Sequence, residues 1–353
     1  MRTLDFTDGV IYDAGIWALG QQNDGKLLVA AGTVAGPPTY VRKAFILRLM
    51  PNGDIDTTFG DQGRVEVNFS SPHPPGTLNS YTISEVLSDA QGGIIVAAMA
   101  AAHTTSGVDR FYAILTRLAP NGQIDRTFAQ DGQVQLHVGE GNGGQFVLFA
   151  LEAEVKILPD GKIVWAFTSS SEPATPPGGF PKKILMMRFL PNGTLDTSFS
   201  DDGIAQLNRY PYGVFGRLWP LANGDYLVRL QEGLLRLKAN GTPDTTFGYP
   251  GGYNNFMGGF EYSGLFVADD GKIILTDYDY IIASQTYQTQ LRRFWPDGTP
   301  DIRFGHNGVV THAIGQAFYL RILAQPDPSY FLASCITDNS VPCTTRIFAK
   351  RKL

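Results

Sequence analysis

The sequence predicts an all-β fold, a six-bladed β-propeller of four-stranded antiparallel blades, and three observations carry that prediction. The first is composition: 40 Gly, 22 Pro, 22 Phe and 15 Tyr beside only 17% charged residues favour short strands and tight turns over long helices. The second is a turn motif that returns five times, as PNGDIDTTFGDQG, PNGQIDRTFAQDG, PNGTLDTSFSDDG, NGTPDTTFGYPG and PDGTPDIRFGHNG. Its turn glycines, Gly53, Gly122, Gly193, Gly241 and Gly298, are 69, 71, 48 and 57 residues apart, a mean near 61, so each repeat is one supersecondary unit. The third is another turn upstream of every copy, in NDGKLLVAAG, AQGGIIVAAM, PDGKIVWAFT, ANGDYLVRLQ and DDGKIILTDY, again with alternating apolar flanks.

Each unit then reads as four strands in order. One precedes the first turn and one follows it; a variable loop leads to a third, such as AFILRLM, and the second turn to a fourth, such as GRVEVNF. Four antiparallel strands per repeat make a propeller blade. The Asn-Gly and Asp-Gly pairs tolerate the positive φ that narrow hairpins require. Asp56, Asp125, Asp196, Asp244 and Asp301 are placed to accept backbone N–H bonds in the bend. Phe59, Phe128, Phe199, Phe247 and Phe304 follow three residues later and are expected to pack between blades.

A sixth unit begins at FYLRILAQPDPSYFLASC and continues into TTRIFAKRKL, where the chain ends about where its second turn is due. TLDFTDGVIYD near Met1 is a worn copy of the segment that should follow that turn, with Phe6 and Gly9 in the Phe and Gly places. The last blade is therefore expected to be closed by both termini, making residues 1–353 a single propeller domain without free sheet edges.

The combination of DGK[IL] with RLxPNGxxDxTFxxxG resembles the delta-60 repeat, a bacterial repeat associated with β-propellers. The resemblance extends over nearly the whole chain and implies the same fold, with no reaction, cofactor or catalytic residue attached. Gln91-Gly92 in the second unit, Asp327-Pro328 in the sixth and the short loop at Gln231 to Gly233 depart from the pattern.

A formal net charge of -5 and a lone basic AKRKL end argue against nucleic acid as a partner. No apolar run is long enough to span a bilayer, and MRTLDFTDGV lacks the pattern of a secretory leader. The expectation is a monomer that does not enter the membrane, cytoplasmic or exported without a cleavable signal peptide. A hairpin centred on Asn339 would set Cys335 opposite Cys343, either bonded or, as the missing export signal favours, as two free thiols.

Repeated residues argue for structure. Arg48, Arg117, Arg188, Arg236 and Arg293 recur in step with the five Asp residues, so an Arg–Asp bridge across the turn, or a solvated Arg row, is preferred to anion binding. Function is sought where the units differ. One such place is the face carrying the long loops and connectors, with Tyr40, Tyr210, Tyr212, Tyr253 and Tyr262 as aromatic anchors. The other is the innermost strands, where equivalent positions hold Ala18, Glu85, Glu154, Arg217, Gly264 and Arg321. Glu85, Glu154, Arg217 and Arg321 would either bind a small charged ligand in the channel or fill it with salt bridges, the second being preferred.

His73, His103, His137, His306 and His312 lack metal-ligand spacing, and Asp277 with Asp279 lacks the oxygen-rich loop that calcium needs, so no metal or cofactor is expected. There is no nucleophile elbow, phosphate loop or dinucleotide fingerprint. The expected role is a binding or scaffold module for a protein, peptide or glycan. The alternative is a hydrolase or lyase with Glu85 or Glu154 as general base.

Overall fold

The structure, a computed structural model, describes residues 11–35, 42–69, 78–102, 109–141, 153–170, 182–207, 215–230, 233–248, 253–255, 264–281, 286–312, 317–324, 329–336 and 344–352. The chain divides into two compact units, Met1–Thr197 with Asp201–Gln206, and Ser198–Ser200 with Leu207–Leu353.

The first unit holds three sheets. Sheet one is β1 (Ile11–Gln21), β2 (Leu27–Ala35), β3 (Arg42–Leu49) and β4 (Arg64–Val67). Sheet two is β5 (Leu78–Ser88), β6 (Ile94–Ala102), β7 (Asp109–Leu118) and β8 (Gln133–Gly141). Sheet three is β9 (Ala153–Ile157), β10 (Ile163–Ser170), β11 (Lys182–Phe189) and β12 (Ile204–Gln206).

The second unit holds the other three. Sheet four is β13 (Phe215–Pro220), β14 (Tyr226–Leu230), β15 (Gly233–Leu237) and β16 (Tyr253–Asn255). Sheet five is β17 (Leu265–Val267), β18 (Ile273–Ile281), β19 (Thr286–Phe294) and β20 (Val309–His312), and sheet six is β21 (Ala317–Ala324), β22 (Ser329–Ile336) and β23 (Thr344–Lys352).

Every sheet is an antiparallel meander in which consecutive strands are neighbours, the arrangement expected of propeller blades. Sheet six has three strands among the described residues. The segment expected to complete it begins at residues 3–10, which lie outside the described residues. Ile11 to Asp13, the tail of the expected closing segment, belongs instead to β1, paired with β2. Among the described residues no helix is long and apolar enough to cross a membrane.

The first turns are not the narrow two-residue hairpins anticipated. In sheet one Gly25 N–H donates to the Gln22 carbonyl (2.9 Å) and Gln22 N–H to the Lys26 carbonyl (2.8 Å), and Gly25 alone takes positive φ (+84°). This is a type I turn closed by a glycine bulge, so Asp24 needs no unusual backbone. The narrow turn lies after the Phe. Gln62 and Gly63 both have positive φ, and Asp61 and Arg64 exchange both backbone bonds across them.

Central strands are apolar throughout because both faces are covered: all nine residues of β6 are buried. One face joins Leu28, Ala30, Ala44 and Ile46 of sheet one to Ile94, Val96 and Ala98 of sheet two. The opposite face of sheet two packs Ile95, Ala97 and Met99 against Trp165, Phe167 and Met187 of sheet three. In the second unit Leu227 and Leu234 of sheet four meet Ile273, Leu275 and Phe294 of sheet five.

The repeated Arg, Asp and Phe form a staple between successive repeats. Arg48 Nε lies 2.8 Å from Asp56 Oδ2 within its repeat, its guanidinium carbon is 4.5 Å from the Phe59 centroid, and its Nη1 donates to the Pro120 carbonyl of the next repeat (2.5 Å). Arg117 likewise reaches the Pro191 carbonyl, and Arg236 that of Pro296, each at 3.1 Å. Gly60 N–H donates to the Asn121 carbonyl (2.8 Å), and Gly248 N–H to that of Asp297 (2.7 Å). The Arg–Asp bridge expected from the sequence is therefore present, and it serves the packing of sheets.

Candidate binding site

The innermost strands come into register as anticipated. Ala18 pairs with Ala30, Glu85 with Ala97, Glu154 with Ala166, Arg217 with Arg229 and Arg321 with Ala333. Gly264 accepts the Thr276 N–H at 3.0 Å. A register shift immediately precedes Ala18, Glu85, Arg217 and Arg321. Such bulges bend the strand and re-aim the next side chain.

In the first unit Glu85 and Glu154 come from neighbouring sheets. Glu85 Oε2 accepts the backbone N–H of Val155 at 2.6 Å, so a carboxylate of β5 caps the open edge of β9. Glu154 is 7% exposed, and its Oε1 lies 2.6 Å from Lys156 Nζ, two residues along the same strand face. In the second unit Arg217 is half-buried on β13. Arg321 lies on β21, and its side chain is outside the described residues.

Tyr40, Tyr210, Tyr212 and Tyr262 fall outside the described residues, as do most of the long loops and connectors of that face. Tyr253 was expected in a connector; it opens β16 instead, opposite Leu235, because the chain after the Phe247 turn completes sheet four there. The β22–β23 register sets Cys335 opposite Thr345, two residues beyond the expected Cys343, so the hairpin is centred one residue later than Asn339; Cys343 itself lies outside the described residues. Asp277 and Asp279 of β18 pair with Gln290 and Gln288 of β19, and their side chains are outside the described residues.

The sequence reading missed a cleft of about 500 Å³ in the first unit, on the turn side of the sheets. Asn23, Ser88, Asp89, Gln91, Asp160 and Pro191 line it together with neighbouring turn residues. The local signal was the departure at Gln91-Gly92-Gly93, where sheets one and three carry Asp-Gly-Lys. In those sheets Lys26 and Lys162 reach Asp56 and Asp196 at 3.3 and 3.5 Å. Sheet two has Gly93 in the lysine place, and Asp89 draws Arg117 towards it: Nη2 is 2.5 Å from Asp89 Oδ2, while Nε stays 3.4 Å from Asp125. Asp125 is consequently 25% exposed, against 5% for Asp56.

Antiparallel meander sheets and a staple repeated between them define an all-β protein of propeller type. Residues 22–59, 183–199 and 226–247 match a family model described as a domain of unknown function (DUF5122) beta-propeller. Among solved structures, a protein of unknown function from Dyadobacter fermentans is 9% identical, with a TM-score of 0.50 over 94% of this chain and 92% of that one. A polysaccharide lyase, the PL25 ulvan lyase, is 11% identical, with a TM-score of 0.52 over 95% of this chain and 78% of that one. At such identities the likeness is one of fold alone. No curated protein matches the sequence.

Proposed function

We propose that residues 1–353 form one six-bladed propeller of the delta-60 kind, its last blade closed by both termini, and that it works as a monomeric recognition module for a glycan. The long-loop face and the mouth of the central channel form the contact surface, and a protein or peptide ligand is the neighbouring possibility. The observation that carries recognition over turnover is the engagement of both inner-strand carboxylates: Glu85 with the Val155 N–H and Glu154 with Lys156. A general base needs a carboxylate free to take a proton from substrate, whereas these hold a strand edge and a lysine. Glycan is preferred among ligands because the fold is shared with a polysaccharide lyase and the loop face is rich in Tyr and Asn.

The test is a glycan array on the full chain, followed by calorimetry on any hit. Tyr210→Ala or Tyr253→Ala should weaken binding at least about tenfold, a loss of about 1.4 kcal/mol, while Glu154→Gln leaves it unchanged. Product release from a bound glycan that stops in Glu154→Gln would replace this reading with the hydrolase or lyase one. Absence of any glycan hit, with a peptide library giving one, would move the ligand to the protein class.

A further inference from the structure

Arg229 differs in kind from every residue at its register position. The equivalents on the other second strands are Ala30, Ala97, Ala166, Thr276 and Ala333, small or neutral. Arg229 is fully buried. Its Nη1 donates to the carbonyls of Leu230 and Gly233, the residues that end β14 and begin β15, the latter at 3.1 Å. Gly216, in the bulge of β13, lies against it: a Cβ there would stand 3.2 Å from the Arg229 carbonyl oxygen and 3.4 Å from its Cγ.

Across the ladder from Arg229 is a second guanidinium, that of Arg217. Directly opposed residues share one face of a sheet with Cβ atoms roughly 4.5–5.5 Å apart, and like charges there repel. Arg217 is half-buried and makes no ion pair or hydrogen bond among the described residues. Trp219 stands two residues along the same face, half-buried, with its ring 5.7 Å from that of Phe266 and edge-on to it. The innermost strand of sheet four thus presents a cation pair and, one strand step away, an indole.

We propose that Arg217, backed by Arg229 and flanked by Trp219, is an oxyanion subsite for an acidic sugar residue; this rests on the glycan-recognition reading above. The guanidinium of Arg217 has the planar fork that takes a carboxylate or sulfate through two parallel N–H bonds. Arg229 adds a second positive charge from a water-poor position, where its field is screened less than at the surface. The indole offers an apolar face to the C–H side of a pyranose ring.

The experiment is calorimetry on the full chain with three tetrasaccharides of one backbone: uronic acid, sulfated and uncharged. At least one charged probe should bind about tenfold tighter than the uncharged one or more, with the difference shrinking as salt is raised. Whichever charged probe is preferred identifies the oxyanion. Arg217→Gln should abolish the preference with the melting temperature retained, and Arg217→Lys should restore only part of it. Equal binding of charged and uncharged probes, or a preference that survives Arg217→Gln, overturns the subsite while leaving glycan recognition intact. Binding of none of the three overturns it also, and the glycan array then decides whether the broader reading falls with it.

Discussion

The ring of Phe59 packs against Gly122 of the following repeat: a Cβ added to Gly122 would stand 2.9 Å from Cε2 of that ring. The same relationship joins Phe128 to Gly193, Phe199 to Gly241 and Phe247 to Gly298. Each of these four turn glycines therefore serves two purposes, a left-handed backbone within its own repeat and a seat for the aromatic ring of the repeat before it.

Gly53 and Gly122 separate those two purposes. Gly53 has a φ of +85° with nothing within 4 Å of an added Cβ, and Gly122 a φ of +90° with Val65 Cγ2 at 2.6 Å and the Phe59 ring at 2.9 Å in the way. Gly53→Ala should cost about 1–2 kcal/mol for the backbone alone. Gly122→Ala should cost about 1–3 kcal/mol more, the usual range for overpacking. Urea unfolding of the two variants checks this, and equal losses would mean that the Phe59 ring and the Val65 methyl yield freely.

Acid stability should depend on the bend carboxylates. Asp56 is held at about 2, below the ordinary 3.8, chiefly by the Thr58 hydroxyl bond at 2.6 Å; the Thr58 N–H, Arg48 and Lys26 add to this, and burial opposes it. For Asp244 burial is the largest single influence and raises its pKa, but the Thr246 hydroxyl and N–H together with Arg236 outweigh it and bring it to about 2. Both carboxyls are depressed on folding, so their contribution is fully present above about pH 4 and is lost as pH falls through about 2. Thr58→Val should raise the Asp56 pKa and move acid unfolding to higher pH, as read by carboxyl carbon NMR and by circular dichroism between about pH 1 and 5.

Sheet two should reject the lysine that its neighbours use. A Cβ on Gly93 would lie 2.6 Å from Asp89 Oδ2 and 3.0 Å from Arg117 Nη2, inside the ion pair. Gly93→Lys alone should destabilise by about 1–3 kcal/mol. With Asp89→Leu, which recreates the leucine of sheet three, the loss should be largely recovered, and a double-mutant cycle of melting temperatures measures the coupling.

Removing the Glu85 carboxylate should open the edge of β9. Glu85→Ala leaves the Val155 N–H without that acceptor, a cost of about 1–3 kcal/mol, whereas Glu85→Gln keeps an acceptor oxygen and should cost less. Amide exchange at Val155 is the direct readout. Unchanged protection in Glu85→Ala would show that the contact is dispensable.

Much of the fold was legible because its signals are local. Arg48 and Asp56 lie eight residues apart around one turn, so their bridge follows from spacing. The Phe59 ring was expected between sheets, yet its seat on Gly122 is a contact 63 residues distant in sequence. The inner-strand positions were found by counting from the turn, and the register bore out that alignment even though bulges interrupt four of the six strands. Tyr253 was misplaced because a three-residue strand just after Pro250-Gly251-Gly252 is too short to show alternation.

By itself the sequence determined the repeat, the antiparallel strands and the places where the chain reverses, since alternation and the left-handed tolerance of glycine act over a few residues. Only the tertiary structure decided which partner each inner-strand charge meets. Glu85 reaches a backbone amide 70 residues away and Arg217 faces Arg229 across a ladder, and both depend on bulge and register. Those are set by how whole sheets pack, and spacing along the chain does not encode them.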